Sequence, residues 1–446
     1  MGHGLGPKWE GNQRLGGTRG LLRRCFNVAF STDARVPSPL TFAPSETPDN
    51  AAVHHSLTPR ADHTDVLVLG LGAMGSLTVR ELARRGIQVT GIDRGHPPHD
   101  LGSSHGRSRI IREAYYEDPL YVPLVRRAYE RWRTLEAEGE TPLLRITGGL
   151  CLGPPTARLV SGALASATRH GLPYERLDAD ALRRRYPAHI VSDDCIGILE
   201  PNAGILDPEQ CIATALRLAT RDGATLHLGE TVTAWTEHAD HVEVRTTYRT
   251  LRAAQVIVSA GRGVRELVPT LAPRLTVERQ VQFWFTPRSE AAAFTPERFP
   301  VFLSEVRPGV MWYGFPDVGD GVKVAWHHHA PSDGTRQDPA DQTPTRPPTP
   351  EEIEAMRSHL TSHLPWAAGP LRATAVCHYT NTPDEHFVID RAPDTERVWV
   401  ASPCSGHGFK FASAIGEVLA DLVQGRTPAF DLAPFRLARF PQPISP

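Results

Sequence analysis

Apolar positions along this chain change period several times, and the changes mark its elements. From Asp65 the sequence settles into a continuous apolar run, Val66, Leu67, Val68 and Leu69, with no polar break. A strand buried on both faces of a parallel sheet has this signature. Gly70, Gly72 and Gly75 follow at the spacing G-x-G-x-x-G, and residues 77–85, with Leu77 and Leu82 among good helix formers, predict a helix. Gly86 stands where a helix C-cap is wanted, and residues 87–92 predict a second strand that ends in Asp93.

Further on, Leu124, Val125, Ala128, Tyr129, Trp132 and Leu135 recur at helical spacing. Residues 143–153 offer short strands. Helices are predicted near 159–169, over 179–186, and from Ile205-Leu206-Asp207-Pro208 to about Thr220. Residues 225–261 alternate as a β-meander does and close on a buried-type strand, Val256 to Ser259, that returns the chain to the first sheet. Antiparallel strands are predicted within 275–330, and the Pro-, Asp- and Thr-rich stretch 333–349 predicts a long loop or lid. Thr349, Pro350 and Glu352 carry the signature of a capping box, opening a helix through Ile353, Met356 and Leu360. Residues 375–390 lead into a strand over 397–402, then a Gly-rich turn and an apolar helix through Ile415, Val418, Leu419 and Leu422. The pattern defines an α/β (α+β) fold. A Rossmann-like nucleotide-binding domain is predicted over 63–145, 205–270 and 374–434, with a second domain of mixed or antiparallel sheet over 146–204 and 271–373 and a tail over 435–446.

Each glycine of the first turn has a distinct task. The first permits the tight turn, the second lets backbone approach a pyrophosphate, and the third lets helix pack on strand. An anion then meets the N–H groups and positive dipole end of the helix. Asp93, twenty-three residues after Gly70, is placed to accept hydrogen bonds from ribose hydroxyls. The glycine spacing alone is a weak signal. Set in strand, turn, helix, strand and acid, it is a strong one for a dinucleotide.

Composition narrows the classes. The 446 residues allow two or three domains, and 40% hydrophobic with 22% charged residues is ordinary for a globular protein. A net charge of −2 gives no electrostatic reason to expect nucleic acid or an anionic membrane as partner. No apolar run approaches the roughly 18 residues of a membrane span. The six cysteines form no C-x-x-C pair, which favours a reducing, cytoplasmic setting. Residues 1–62 lack apolar periodicity and are rich in Gly, Pro, Ser, Thr and Arg, so they read as a disordered extension or a start assigned too far upstream. Arg23 and Arg24 interrupt the apolar stretch 21–30, which makes it a poor secretory segment. Arg14 and Arg19 add some presequence character, though acidic residues are present as well.

Candidate chemistry lies in a few places. Residues 102–119 hold Ser104, His105, Arg107, Arg109 and Arg112 beside the nucleotide fold. Arg109 and Arg112, three apart, would point the same way on a helical turn and could bind phosphate or carboxylate; the bland alternative is a solvated basic loop. Lys323 and His327, four apart, would share a strand face and reach one pocket, or form a surface pair. Lys410 stands just before the apolar helix, where a buried charge needs a reason such as a substrate carboxylate or a flavin ring. Cys377, taken alone, reads as an inert buried thiol. Consecutive residues on a strand alternate faces, so at most two of His327, His328 and His329 converge, and no metal site is predicted. His378 and His386 fail the same test.

Together these segments resemble the monomeric sarcosine oxidase and N-methyltryptophan oxidase family of flavin-dependent amine oxidases, within the D-amino-acid-oxidase-like superfamily. The resemblance rests on the glycine turn with Asp93, the run 105–112, Arg279-Gln280-Val281, and the Lys323 and His327 pair. Cys377 with Tyr379, Thr380 and residues 384–387, and the turn 405–411, carry the rest, and the match covers about 63–430. It implies FAD, with its pyrophosphate at Gly70, Gly72 and Gly75, its ribose on Asp93, and further contacts from Ser104, His105, Arg109, Gly406 and Gly408. It implies Cys377 as a covalent attachment point through a thioether to the flavin 8α-methyl. Arg112 and Lys410 would hold a substrate carboxylate, and Lys323 would act through water near flavin N5 and activate O2. His327, Arg109, Tyr379 and Glu117 would be polar groups of the pocket. The implied reaction oxidises the C–N bond of a secondary or cyclic α-amino acid (sarcosine, another N-methyl amino acid, or a pipecolate-like ring) to an imine and reduces O2 to H2O2. The implied partners are that amine and O2, and the enzyme is expected to be a monomer. His378 after the cysteine, Arg107, and the long 333–349 loop depart from the family pattern and bear on which amine is used. The competing readings are a flavin dehydrogenase that passes electrons to a carrier, a biosynthetic tailoring oxidase, and a non-catalytic FAD-containing assembly subunit or sensor, which the joint presence of Arg112, Lys323, His327 and Lys410 argues against. Lys323 separates oxidase from dehydrogenase, because oxygen reactivity needs a cation near N5.

Overall fold

The apolar run from Val66 to Leu69 lies in the strand Asp62–Leu69, which sits between two parallel neighbours, Val89–Asp93 and Thr250–Val258. Thr225–Leu228 adds a further parallel strand beyond Val89–Asp93. Thr250–Val258 is long enough to serve two partners on its outer edge. Its first residues pair antiparallel with Val242–Thr246, and its last pair parallel with Val398–Ala401. The parallel strands therefore point their C-terminal ends the same way, as the run of Val, Ile and Leu buried on both faces requires. The structure, a computed structural model, describes residues 62–328, 345–402 and 405–440. The expected N-terminal extension, most of the 333–349 loop, His329 and the end of the tail lie outside the described residues.

The helix Ala73–Arg84 begins at once after Gly72, four residues ahead of the predicted start. It ends at the C-cap Arg85, and Gly86 takes up φ +76, the left-handed conformation that stops helices cheaply. The helix packs against Pro208–Arg221 and Ala412–Val423. Contact with the latter needs Gly416, where a Cβ would lie 2.7 Å from the Leu77 carbonyl oxygen. The predicted start of Pro208–Arg221 shifts: Ile205 and Leu206 belong to the strand Gly204–Leu206, and Asp207 caps the helix by accepting from Gln210 N–H. The Thr349 capping box is present as predicted, opening Pro350–His363.

A second sheet runs in the order Leu371–Asn381, Thr276–Phe285, Val322–Trp326, Val310–Phe315, Val301–Arg307, Gly149–Gly153, Ile196–Glu200, Glu175–Leu177. It is antiparallel except where Val301–Arg307 meets Gly149–Gly153. The predicted boundary at residue 374 put most of Leu371–Asn381 with the nucleotide sheet. The strand instead pairs along its length with Thr276–Phe285, from Thr276↔Asn381 to Phe285↔Leu371. A full antiparallel ladder outweighs its nearness in sequence to Val398–Ala401. A three-stranded sheet, Arg109–Ile111, Gly204–Leu206 and Leu144–Ile146, completes the sheets of the described residues, all of which belong to one unit. Among them no helix is long and apolar enough to cross a membrane.

Candidate active site

The C-terminal ends of the parallel strands open into one cavity of ≈ 380 Å³, lined there by Gly70, Asp93, Ser259 and Ser402. The carboxyl edge of a parallel sheet is where such folds bind ligands. The second sheet contributes Cys377, Tyr379, Tyr313 and His327 to the same cavity.

The three glycines of the turn separate by what each must avoid. A Cβ at Gly70, which has φ +92, would lie 2.8 Å from Ala260 Cα and the Ser259 carbonyl. One at Gly75 would lie 1.8 Å from the Gly70 carbonyl oxygen. At Gly72 it would meet only Ser104 Oγ, at 3.5 Å, and Gly72 lines the cavity. The chain itself demands the first and third glycines. The second has room within the chain, so its demand comes from a group that fills the cavity, and a pyrophosphate fits it. Ser104 Oγ accepts the Ala73 N–H at 3.2 Å beside this turn. Asp93 lines the cavity as predicted but also braces the turn. It accepts from Leu71 N at 2.7 Å, from Gly95 N at 2.8 Å, and lies 3.0 Å from His99 Nε2. Burial works to raise its pKa, and His99 with the two N–H groups more than offsets this, holding it below the usual carboxylate range.

The basic run is not a helical turn. Pairing with Gly204–Leu206 draws Arg109–Ile111 into an extended strand, where residues three apart point to opposite faces. Both arginines nonetheless line the cavity. Arg109 donates to Ser108 O at 2.8 Å and Ser103 O at 2.7 Å. Arg112 is 4% exposed, which excludes a solvated loop. Its Nη2 donates to both Glu117 oxygens at 2.7 and 2.6 Å, its Nη1 to Ala114 O at 3.0 Å, and it lies over Tyr115 and Tyr116. Burial would raise the Glu117 pKa, but Arg112, His407 and Lys410 hold it below its ordinary value.

Lys323 and His327 do not reach the cavity together. Val322–Trp326 ends before His327, and of the two only His327 lines the cavity. The Lys323 ammonium is covered by the basic run: it donates to Gly106 O at 2.7 Å and to Ser108 O and Oγ at 3.0 Å, and Ser108 faces the cavity in its place. Burial, with Arg109 nearby, pushes the Lys323 pKa well down. His105 also lies behind the wall, its Nε2 without a hydrogen-bond partner, and burial pushes its pKa to about 4. Burial likewise keeps His327 neutral, close to Tyr379 and Tyr313.

Cys377 is buried on its strand, and its Sγ accepts from Gln282 Nε2 at 3.1 Å and lines the cavity. Gly406, Gly408 and Lys410 line it too. Gly406 has φ +78, and a Cβ there would lie 2.6 Å from the Tyr379 ring, so the turn packs directly on that tyrosine. Lys410 Nζ donates to His407 O at 2.8 Å, and Trp132 Nε1 donates to Lys410 O at 2.8 Å. Among the described residues no group of three or more His, Cys, Asp or Glu could hold a metal ion.

Two acids escaped the sequence reading. Glu200 accepts from Glu113 N at 2.6 Å and Ala114 N at 2.8 Å, and Glu209 Oε1 accepts from Gly106 N at 2.7 Å and Arg107 N at 3.1 Å. They hold the basic run at both of its ends. Glu200 closes the otherwise apolar run 196–199, where a charge needs partners, and that was its signal. A second signal also went unread. The whole chain has three lysines, Lys8, Lys323 and Lys410, and every other one of its 48 Lys+Arg positions is arginine. Lysine at 323 and 410, in a chain that otherwise uses arginine, points to a compact ammonium with a task.

The cavity draws on residues from nearly the whole described chain, and the match to known proteins has the same extent. Residues 65–422 match the family described as FAD dependent oxidoreductase, and the chain belongs to that family. Within it, the chain is 41% identical over 384 residues to monomeric sarcosine oxidase of Streptomyces avermitilis, covering 84% of this chain and 98% of that one. It is 38% identical over 379 residues to N-methyl-L-tryptophan oxidase of Salmonella agona, covering 85% and 99%. Among solved structures it superposes on NikD, an unusual amino acid oxidase essential for nikkomycin biosynthesis, with a TM-score of 0.72 and 25% identity over 84% of this chain and 97% of that one. Glycine oxidase from Geobacillus kaustophilus shares the fold, with a TM-score of 0.70 and 19% identity over 85% and 100%. The fold class and the family read from the sequence are borne out.

Proposed function

We propose that this protein is an amine oxidase that converts the C–N bond of a secondary or cyclic α-amino acid to an imine, using FAD attached through Cys377 and O2 as acceptor. The carrying observation is that Gly72, Cys377, Arg112 and Lys410 line a single cavity. The similarity to sarcosine and N-methyl-L-tryptophan oxidases supports the substrate class. In this reading 63–145, 205–270 and 374–434, less the strand that carries Cys377, form the FAD-binding part, and 146–204 with 271–373 the substrate part.

Bound FAD would supply the two-electron acceptor. The residues of the chain supply the rest. The Gly72 backbone and the start of Ala73–Arg84 would hold the pyrophosphate, and Asp93 would accept from the ribose hydroxyls. Cys377, which lines the cavity and accepts from Gln282 Nε2, would form the thioether. Arg112 and Lys410 clamp a substrate carboxylate, one as a planar fork and one as a point charge, and so fix the α-carbon for hydride loss. Neutral His327 beside Tyr379 leaves the amine end of the pocket without added positive charge, so an unprotonated amine is not disfavoured. The imine then hydrolyses in water, which completes demethylation when the substrate is N-methylated.

Acid precipitation tests the attachment: flavin colour stays with wild-type protein and washes out of Cys377→Ala. Peroxide release on sarcosine, N-methyltryptophan, pipecolate and proline tests the substrate class, and silence on all four would end the proposal. One observation favours a second reading. The Lys323 ammonium lies behind Ser108, not in the cavity, and a flavin without a cation near N5 reacts poorly with O2. Slow turnover in air with fast turnover on an artificial acceptor would make the enzyme a dehydrogenase.

A further inference from the structure

The turn that carries Arg112 is held from outside the cavity by one side chain. Glu200 is the last residue of the strand Ile196–Glu200 and is 4% exposed. Its two oxygens are divided between two consecutive backbone donors, Glu113 N at 2.6 Å and Ala114 N at 2.8 Å. The carbonyl of Ala114 in turn accepts from Arg112 Nη1 at 3.0 Å. One residue, Ala114, thus links the carboxylate to the guanidinium through its N–H and its carbonyl. The other side of the turn is pinned independently: Ser166 Oγ donates to Tyr115 O, and a Cβ at Gly162 would lie 2.4 Å from Tyr116 O. Loss of the Glu200 contact therefore loosens residues 112–114 without releasing the whole segment.

We propose that Glu200 is a positioning residue for substrate binding, its ionised carboxylate fixing the 113–114 peptide so that Arg112 is aimed at the substrate carboxylate. The inference rests on the reading that Arg112 holds that carboxylate. The ionised form offers a charged acceptor to each N–H. Once protonated, one oxygen becomes a hydroxyl, a much weaker acceptor, and the bond it receives is weakened. Burial raises the Glu200 pKa to about 7, against the pull of the two N–H groups and Arg112, so the switch falls near neutrality. The charged and titratable groups that bear on Glu200 are Arg112 and Glu113 on the turn, Tyr129 on the helix Val122–Gly139, and Cys151 on Gly149–Gly153. Arg112 keeps its charge, and burial pushes the Tyr129 and Cys151 pKa values far above neutrality, so neither changes charge there. His407 is held neutral at about 4.

The test compares the flavin-loaded wild type with Glu200→Gln between pH 6 and 8. In the wild type, KM for the preferred N-methyl amino acid should rise from pH 8 to pH 6 about tenfold more than the titration of the substrate alone accounts for, as the ionised fraction of Glu200 falls, while kcat changes little. In Glu200→Gln, KM should be raised at every pH and follow only the titration of the substrate. Hydrogen exchange of the 113–114 amides, corrected for intrinsic rate, should quicken in the variant and in the wild type at low pH. Glu209→Gln, at the far end of the run, should leave this exchange unchanged. Equal KM profiles for wild type and variant would overturn the proposal, as would exchange at 113–114 that ignores both pH and the substitution. The wild-type profile decides the matter even if the variant does not fold. If no secondary amine is turned over at all, the functional reading fails, and exchange alone then judges the clamp.

Discussion

Gly72 and Gly75, three residues apart, separate what the cofactor requires of the turn from what the fold requires. At Gly72 the backbone is extended with a negative φ of −67, so it carries no left-handed strain, and an added methyl meets nothing closer than Ser104 Oγ at 3.5 Å. Gly72→Ala should therefore leave the flavin-free protein as stable as before, or more stable by about 0.4–1 kcal/mol through its less flexible unfolded chain. The same methyl stands where a pyrophosphate must touch backbone. Loss of one hydrogen bond to a charged group, about 1.5–3 kcal/mol, weakens FAD binding roughly 10- to 100-fold. Gly75→Ala puts its methyl 1.8 Å from the Gly70 carbonyl oxygen and 2.7 Å from Ser259 Oγ, so the helix must retreat from the strand. Overpacking costs about 1–3 kcal/mol or more, and the gain in helix propensity returns about 1 kcal/mol at most. Both variants belong in a Cys377→Ala background, where flavin can be removed and returned. Urea unfolding of the flavin-free proteins and quenching of flavin fluorescence on titration give the two quantities. Gly72→Ala as unstable as Gly75→Ala, or Gly72→Ala binding FAD as the parent does, would refute the reasoning.

If Lys323 acts on O2 from behind Ser108, Lys323→Met should leave anaerobic reduction by substrate nearly unchanged and slow reoxidation by O2 about 10²- to 10³-fold, read by stopped flow; equal reoxidation rates would remove Lys323 from that role and favour the dehydrogenase reading. Burial holds His105 and His407 at about 4, and His189 and His359 at about 3, against an ordinary 6.5. As pH falls below 6.5 the unfolded chain takes up these protons first, so each histidine should cost up to ~1.4 kcal/mol of stability per pH unit down to its folded value. Urea midpoints at pH 7.5, 6.5 and 5.5 should fall in that order, and a flat series would contradict the burial of these rings in neutral form.

What was legible in the sequence was local. The strand, glycine turn and helix of residues 62–84 depend on side chains within a few positions of one another, and so do the stop at Gly86 and the capping box at Thr349. Pattern reads such features directly. The site was legible where a motif fixed the backbone, as at Gly406 and Gly408. It was not legible where partners come from far away. Arg109–Ile111 is a strand because Gly204–Leu206 pairs with it, and no local signal outweighs that. Lys323 turns away from the cavity because carbonyls of residues 106 and 108 receive its ammonium. Asp93 gives part of its carboxylate to the turn it was expected only to accompany. Glu200 reads as an ordinary strand end until Glu113 and Ala114 are seen to need an acceptor.

The most direct measurement is anaerobic mixing of the flavin-loaded protein with a secondary amino acid, followed in the visible absorbance of the flavin. Sarcosine or one of its N-methyl or cyclic relatives should bleach the flavin fully, at a rate that saturates with concentration. Admission of O2 should then restore the colour and release one H2O2 for each imine formed. A flavin that keeps its colour against every secondary amine would contradict the proposed function, whatever the fold.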